Sequence, residues 1–116
     1  MVRSALLRRD GEAVATIEIA DTPGARLRGL LGRDGVDGGL LLRPAMQVHT
    51  VGMRFAIDVA FCDRGLVVVR TVAMAPNRFS RPVWRSRAVL EAEAGTFARW
   101  RLRPGDRLEV AEIVSG

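Results

Sequence analysis

The sequence predicts a mainly β fold, a compact antiparallel β-barrel or jelly-roll-like sandwich of about seven or eight short strands with one short α-helix. Short apolar runs that alternate with polar residues recur along the chain, and glycine, proline or aspartate bounds each of them. One segment, residues 22–32, has the capping residues and leucine spacing of a helix. With 116 residues and a hydrophobic fraction of 48%, the chain is predicted to form a single domain over residues 1–116.

The N-terminal residues are predicted to form a β-hairpin. Val2–Arg9 and Glu12–Ala20 flank the pair Asp10-Gly11, which tolerates the positive φ angles of a tight two-residue turn. In the second run apolar residues alternate with others, which predicts one largely apolar face formed by Ala13, Ala15, Ile17 and Ile19.

A helix is predicted next, from about residue 22 to Gly32. Asp21 or Thr22 is expected to cap its free backbone N–H groups, and Pro23 suits the first helical position. Gly32 is the predicted end, because glycine commonly follows the last turn of a helix. Three residues at helical spacing are expected to face the core: Leu27, Leu30 and Leu31.

The rest of the chain predicts short strands separated by turns. Three glycines and two aspartates between residues 34 and 39 indicate a loop. Within one strand, alternation places Asp58 on the same face as Ala60 and Cys62. The predicted strands are Leu40–Leu42, Ile57–Phe61, Leu66–Ala75, Ala88–Ala94 and Arg107–Val114, and one helical turn is expected within Gly95–Leu102.

Composition excludes several classes of protein. The single cysteine, Cys62, rules out a disulfide within the chain and any site built from several cysteines, and the lone His49 rules out a site built from several histidines. Because no metal-binding or phosphate-binding motif occurs either, neither a metal nor a cofactor is predicted. No apolar run approaches the roughly 20 residues of a membrane-spanning helix, so a cytoplasmic protein without membrane contact is expected.

The basic residues are all arginines and give a net charge of +5. Arginines interleaved with aromatic residues favour binding to a polyanion, and the candidate residues for such binding are Arg78, Arg81, Trp84, Arg85 and Arg87. A second cluster surrounds Trp100. No nucleic-acid recognition module is present, so nucleic acid is a disfavoured partner. The favoured interpretation is solvated charge, with Trp84 and Trp100 packed at the ends of the barrel.

Five motifs occur in an order that resembles a known family. The longest is the run from His49 to Phe61, which reads HTVGMRFAIDVAF. The others are Asp21-Thr22-Pro23 with Arg26, Gly29–Arg33, Val89–Glu91 with Ala94-Gly95, and Pro104–Leu108. From about Thr16 to Val110 the chain therefore resembles domain of unknown function family 192. The resemblance implies a compact β-barrel or jelly-roll-like sandwich with one short helix, and it implies no established reaction.

The resemblance includes two departures. Ala56 stands where many members have a proline two residues before the aspartate that corresponds to Asp58. Where one common form of the family reads Trp-Met-Lys-Asn-Thr, this chain reads His49–Met53. The asparagine and threonine of that form are thus absent at those positions, and His49 is the candidate replacement.

Two acidic residues interrupt apolar strands. A buried charge needs a partner, and the favoured hypothesis for Asp58 is a structural ion pair with Arg33 or Arg54 rather than contact with a ligand. Glu91 is the second acid, and two carboxylates perform general acid–base catalysis only when they converge in one cleft. Hydrolysis by these acids, or by a Cys62 nucleophile, is the least favoured alternative, because a free cysteine usually packs as a small hydrophobic residue.

The leading hypothesis is a small binding module rather than a catalyst. Its polar pocket is predicted beside the His49–Asp58 segment and the strand of Glu91, with Arg33 balancing the acids. The candidate ligand-binding residues are His49, Thr50, Met53, Asp58, Glu91 and Arg33. The alternative is a structural or interaction protein whose arginine–aromatic surface binds an acidic protein or nucleic acid. The expected partner is therefore a small molecule or an acidic protein.

Overall fold

The computed structural model describes residues 3–113, which form seven strands and two short helices. The strands are β1 (Arg3–Arg9), β2 (Glu12–Ala20), β3 (Gly39–Leu42), β4 (Ile57–Cys62), β5 (Val68–Met74), β6 (Ala88–Glu93) and β7 (Leu108–Glu112). The helices are α1 (Pro23–Arg28) and α2 (Thr96–Trp100). The predicted mainly β fold is confirmed, and the strands lie close to their expected bounds. Val2 and Val114, the outer ends of two predicted strands, lie outside the described residues.

The strands form one mixed sheet in the order β5-β4-β6-β3-β2-β1-β7. The expectation of a purely antiparallel sheet is wrong at one pairing, because β2 and β3 run parallel. The chain between them passes through α1 and a loop before it returns to the sheet, and such a crossover allows parallel pairing. The two outer strands approach each other at one end, where Val67 and Arg107 form an isolated antiparallel bridge. The sheet is therefore curled like a barrel without closing along its length.

The sheet buries apolar side chains on both faces. One cluster includes Leu7, Ile17 and Leu90 and fills the inside of the curl. A second cluster includes Leu40, Val59 and Phe61 and lies on the other face, where the segments after α1 and between β3 and β4 cover it. Strand β6 contributes to both clusters, because successive side chains of a strand point to opposite faces.

Helix α1 is shorter than the sequence predicts. Thr22 is its cap, and the Thr22 Oγ1 accepts a hydrogen bond from the backbone N–H of Ala25 at 3.1 Å. The helix ends at Arg28 because Gly29 adopts a φ of 49°. This early end reverses one prediction: Leu27 is 75% exposed, whereas Leu30, which follows the turn, is buried against the sheet.

The two tryptophans differ in their surroundings. The predicted helical turn is present as α2, and within it Trp100 is half-buried and its ring stacks on Phe97 with 5.8 Å between centroids. Trp84 is 74% exposed, so the prediction that it packs at an end of the barrel is wrong. Trp84 lies in a turn between β5 and β6, and the turn presents its side chain to solvent.

Candidate functional site

A cleft opens above Glu91 on the outer face of the sheet. In β6, Glu91 lies directly opposite Leu40 of β3 and Val59 of β4, so its side chain shares their face. The cleft has a volume of about 70 Å³. Its walls come from the end of α1 and from the segment before β4; the lining residues besides Glu91 are Arg26, Leu27, Arg28, Gly29, Leu30, Leu31, Leu42, Gln47, Val48, His49 and Met53.

Glu91 is a buried residue whose carboxyl group faces the cleft and receives no hydrogen bond in the described part of the chain. The residue is only 4% exposed, and its neighbours Leu30, Leu42 and Met53 are apolar and buried. No donor within residues 3–113 forms a hydrogen bond or an ion pair with it, and since no fully buried side-chain oxygen of these residues lacks a partner, its carboxyl oxygens keep only the solvent contact that the cleft provides. Burial accordingly raises the pKa of Glu91 to about 7.

His49 lies at the mouth of this cleft. Its Nδ1 accepts a hydrogen bond from the backbone N–H of Val51 at 3.3 Å, so the neutral ring carries its proton on Nε2. The ring is exposed and lies 5.9 Å from the ring of Phe79, with which His49 also forms an isolated antiparallel bridge. His49 Nε2 is thus a hydrogen-bond donor available at the entrance.

The end of α1 forms the opposite side of the mouth. Gly29 approaches Glu91 closely: a Cβ added to this glycine would lie 3.9 Å from Glu91 Oε1. Arg26 and Arg28 lie on the rim, and Arg26 Nη1 donates to the backbone carbonyl of Asp21. The cleft therefore combines one buried carboxyl group with two arginines and one imidazole at its entrance. Sequence analysis missed the two arginines, although the motif that contains Arg26 and Gly29 signalled this segment.

Asp58 lies elsewhere, and its carboxylate is already occupied. Its Oδ2 accepts hydrogen bonds from the backbone N–H groups of Gly95 and Phe97 at 2.9 and 3.0 Å, so it holds the start of α2. The favoured prediction of an ion pair with Arg33 or Arg54 is wrong, because the two backbone donors satisfy Asp58 instead. Asp58 is paired with Ala92, the neighbour of Glu91 in β6, so the two acids point to opposite faces of the sheet. They do not converge for acid–base catalysis.

Two further candidates, Thr50 and Arg33, also lie outside the cleft lining. Thr50 is fully buried; its Oγ1 donates to the carbonyl of Ala75 at 2.6 Å and accepts from the N–H of Arg78 at 2.9 Å. Arg33 binds both carboxylate oxygens of Glu18, at 2.6 and 3.0 Å. Of the six candidate residues, the cleft thus brings together His49, Met53 and Glu91.

Cys62 is not placed for nucleophilic chemistry. It is fully buried in the inner cluster, and burial raises the pKa of its thiol to about 12. A nucleophile must be ionised and reachable, and Cys62 meets neither condition. Across residues 3–113, no three His, Cys, Asp or Glu side chains come together in a cluster that could hold a metal ion.

The predicted polyanion-binding residues are exposed, but they do not form one surface, because their arginines line two separate depressions. Arg78 and Arg81 line a groove beside β5. Arg85 and Arg87 line a separate depression next to the turn at Asp63–Gly65. Trp84 lies on neither lining, and its carbonyl accepts a hydrogen bond from Arg87 Nη1.

Comparison with solved structures finds the same fold in proteins of two bacteria. One is a protein of unknown function from Novosphingobium aromaticivorans, with a TM-score of 0.75, 22% identity, and coverage of 93% of this chain and 84% of that one. The other is from Sinorhizobium meliloti and is described as a "putative transcription regulator"; its TM-score is 0.76 at 26% identity, with 94% of this chain and 92% of that one covered.

Neither helix of the described residues is long and apolar enough to cross a membrane.

A family model settles the relationship that the motifs suggested. No curated protein matches this chain. The model of the DUF192 family, described as "Uncharacterized ACR", matches residues 5–110, a range that contains both the Glu91 cleft and the cap formed by Asp58. The chain therefore belongs to the DUF192 family.

Proposed function

We propose that this protein is a small-molecule binding module whose ligand presents an amine to Glu91. The carboxyl group of Glu91 carries the proposal, because the residue is only 4% exposed and its carboxyl group receives no hydrogen bond from the described residues. An ionised carboxylate without a partner is costly in a protein interior. A ligand ammonium would supply the partner, and the recovered electrostatic free energy would appear as affinity.

The entrance favours a ligand that also carries a negative or acceptor group. Arg26 and Arg28 lie on one side of the mouth, and His49 Nε2 offers a donor on the other. A simple cation would meet repulsion from the two guanidinium groups as it enters. A zwitterion avoids this repulsion, because its carboxylate stays near the arginines while its ammonium reaches Glu91.

The size of the cleft limits what it can enclose. A volume of about 70 Å³ is well below the roughly 300–1,000 Å³ of sites that enclose a drug-sized ligand. The buried part of the ligand is therefore an ammonium with its adjacent carbon, and the rest of the molecule lies at the mouth beside His49. Small amino acids and short ω-amino acids have this form.

Binding of such a ligand depends on pH with a defined sign. Burial raises the pKa of Glu91 to about 7, and only the ionised carboxylate attracts an ammonium. The affinity is therefore expected to rise about tenfold per pH unit below pH 7 and to level off above it, as long as the amine stays protonated. A ligand that binds the protonated acid would show the opposite trend.

Amide NMR titration of the folded protein tests the proposal. Glycine, β-alanine, ethylamine and propionate are added in turn at pH 8, and the expected result is saturable shifts at Gly29, His49 and Glu91 for the two amino acids and weaker shifts for ethylamine. Glu91→Gln keeps the shape of the side chain without its charge and should abolish these shifts. Glu93→Gln, on the same strand, is the matched control and should retain them.

Two results would contradict the proposal. Propionate shifting the same amides as strongly as glycine would make the cleft an anion site, and equal binding by wild-type protein and Glu91→Gln would remove the carboxylate from recognition. The Sinorhizobium meliloti relative is described as a transcription regulator, which favours nucleic acid as a second candidate partner, and a basic surface of this chain would have to bind it. The groove beside β5 is the place to test for such a partner.

A further inference from the structure

Strand β5 is an edge strand, and most of its outer side is unpaired. β5 is the outermost strand at one side of the sheet. Val68, at its start, exchanges backbone hydrogen bonds with Gly105 and Asp106. Beyond Val68, no residue within 3–113 pairs with the outer side of the strand. Such an edge offers backbone donors and acceptors to another extended chain.

The register shows which backbone groups are free. The carbonyls of Ala56 and Cys62 accept hydrogen bonds from Ala94 and Arg87 on the β6 side, so alternate residues of β4 face β5. Those residues pair with Arg70, Val72 and Met74, as Phe61↔Arg70, Val59↔Val72 and Ile57↔Met74. The intervening residues, Thr71 and Ala73, therefore present their N–H and C=O groups outward.

A groove runs beside this edge, on the face of β5 that carries Val72 and Met74. Its volume is about 450 Å³, and the buried ring of Phe61 contributes to its floor. The segment after β5 forms the other side of the groove, and Phe79 of that segment is 72% exposed. The groove thus offers an apolar floor and an exposed aromatic ring next to the free backbone groups.

The charged residues of the groove all have the same sign. Arg70, Arg78 and Arg81 line it, and no aspartate or glutamate does. All three arginines are exposed, and none forms an ion pair within the described residues. Positive charge beside an apolar floor selects partners by charge complementarity.

We propose that the edge of β5 and this groove bind an extended acidic segment of another protein as an additional strand. The segment hydrogen-bonds to Thr71 and Ala73, and its groove-facing side chains alternate between carboxylates near Arg70 and apolar groups over Val72. A second copy of this chain is disfavoured, because pairing two β5 edges would bring their arginines together on molecules of net charge +5. Nucleic acid would use the arginines but would leave Thr71 and Ala73 without strand partners.

The experiment uses a synthetic peptide with acetylated and amidated ends, of sequence Glu-Thr-Val-Thr-Glu-Thr-Val. Amide NMR of the full chain is expected to show shifts across Val69–Met74 and Arg78–Arg81, and slower hydrogen exchange of the Thr71 and Ala73 amides. A peptide with lysine at the glutamate positions should cause neither effect. Oligothymidine of similar length tests the nucleic-acid alternative.

Variants separate strand addition from general charge attraction. Thr71→Pro removes an outward N–H that β4 does not use, so the fold should persist. Arg70→Glu reverses a charge in the groove, and Arg103→Glu makes the same change at an exposed arginine outside it. Thr71→Pro and Arg70→Glu should each weaken peptide binding about tenfold, whereas Arg103→Glu should change it less than about twofold.

Three outcomes would overturn the proposal. If the glutamate peptide binds no better than the lysine peptide, charge complementarity does not contribute to binding. Equal losses of peptide affinity in Arg70→Glu and Arg103→Glu would show that the net charge of the protein, and not the groove, determines binding. Oligothymidine binding more tightly at the same amides, without protecting Thr71 and Ala73 from exchange, would identify the groove as a nucleic-acid site. If Thr71→Pro fails to fold, the hydrogen exchange of the Thr71 and Ala73 amides in the wild-type protein tests strand addition instead: unchanged exchange on peptide binding would overturn it.

Discussion

Two acidic residues on neighbouring strands of this protein are treated in opposite ways. Asp58 of β4 accepts two backbone hydrogen bonds from the start of α2, whereas Glu91 of β6 receives none from the described residues. Asp58 is half-buried, and Glu91 is almost fully buried. The acid with less access to water is thus the one without a partner.

This difference distinguishes an acid that stabilises the fold, Asp58, from an acid that is free to bind a ligand, Glu91. Each carboxylate interrupts an apolar strand, so apolar surroundings alone do not distinguish them. The hydrogen-bond donors around each carboxylate distinguish the two acids. An acid whose oxygens accept hydrogen bonds stabilises the fold, whereas a buried acid without them costs free energy that a ligand can recover. The largest expected effects of mutation therefore have opposite signs at these two positions.

Asp58→Ala is expected to have the largest effect on stability. It leaves the N–H groups of Gly95 and Phe97 without their acceptor and weakens the connection between α2 and β4. Because hydrogen bonds to a charged group contribute about 1.5–3 kcal/mol each, the loss should be about 4 kcal/mol. Urea unfolding at pH 7, followed by circular dichroism, measures it.

Asp58→Asn is the control for this loss. Its side-chain oxygen can still accept from both N–H groups, so it should recover about half of the free energy lost in the alanine variant. Asparagine and alanine giving equal stability would show that the two hydrogen bonds do not account for the effect.

Glu91→Gln is expected to stabilise the protein, and only at the higher pH values. Burial raises the pKa of Glu91 from 4.5 to about 7, so the folded state binds this proton more tightly than the unfolded state does. The stability that this proton contributes is fully present below pH 4.5 and is lost as pH rises through 7. Relative to the wild type, the variant should gain about 3 kcal/mol between pH 4.5 and pH 8, measured by urea unfolding across that range.

Glu93→Gln provides the comparison on the same strand. Glu93 Oε1 accepts a hydrogen bond from the N–H of Val36 at 3.1 Å, and glutamine can keep this contact. This variant should therefore not show the gain in stability expected of Glu91→Gln. A Glu91→Gln variant that does the same would mean that Glu91 is not buried as the cleft geometry requires.

The sequence predicted what depends on local pattern. The capping preference of Asp21 or Thr22 located the start of α1, and the turn at Asp10-Gly11 separated the first two strands. These features depend on neighbouring residues, and the structure confirms them. The expected face of Asp58 was also correct, since it shares a side of β4 with Ala60 and Cys62.

The sequence did not predict features that depend on distant backbone. The donors to Asp58 are N–H groups, which no residue type reveals, and they lie 37 and 39 positions further along the chain. Parallel pairing of β2 and β3 depends on how the chain crosses over after α1. The exposure of Leu27 depends on the φ of Gly29, which ends α1 before the leucine pattern does. For these reasons only three of the six candidate ligand-binding residues, His49, Met53 and Glu91, line one cleft, and the other three lie elsewhere.

A third acid, Glu18, is half-buried like Asp58 but is paired with a side chain, and its loss of that partner gives a small predicted effect. Arg33 contacts both of its carboxylate oxygens, and the two side chains are 33% and 24% exposed. Because water screens a pair at this depth and a bidentate contact strengthens it, Arg33→Ala should cost about 1 kcal/mol in urea unfolding, and less in high salt. Arg54→Ala removes a contact to Asp34 whose side chains are 59% and 89% exposed, and it should cost almost nothing. If both variants lose the same stability, the exposure of the side chains does not govern how much these two ion pairs contribute.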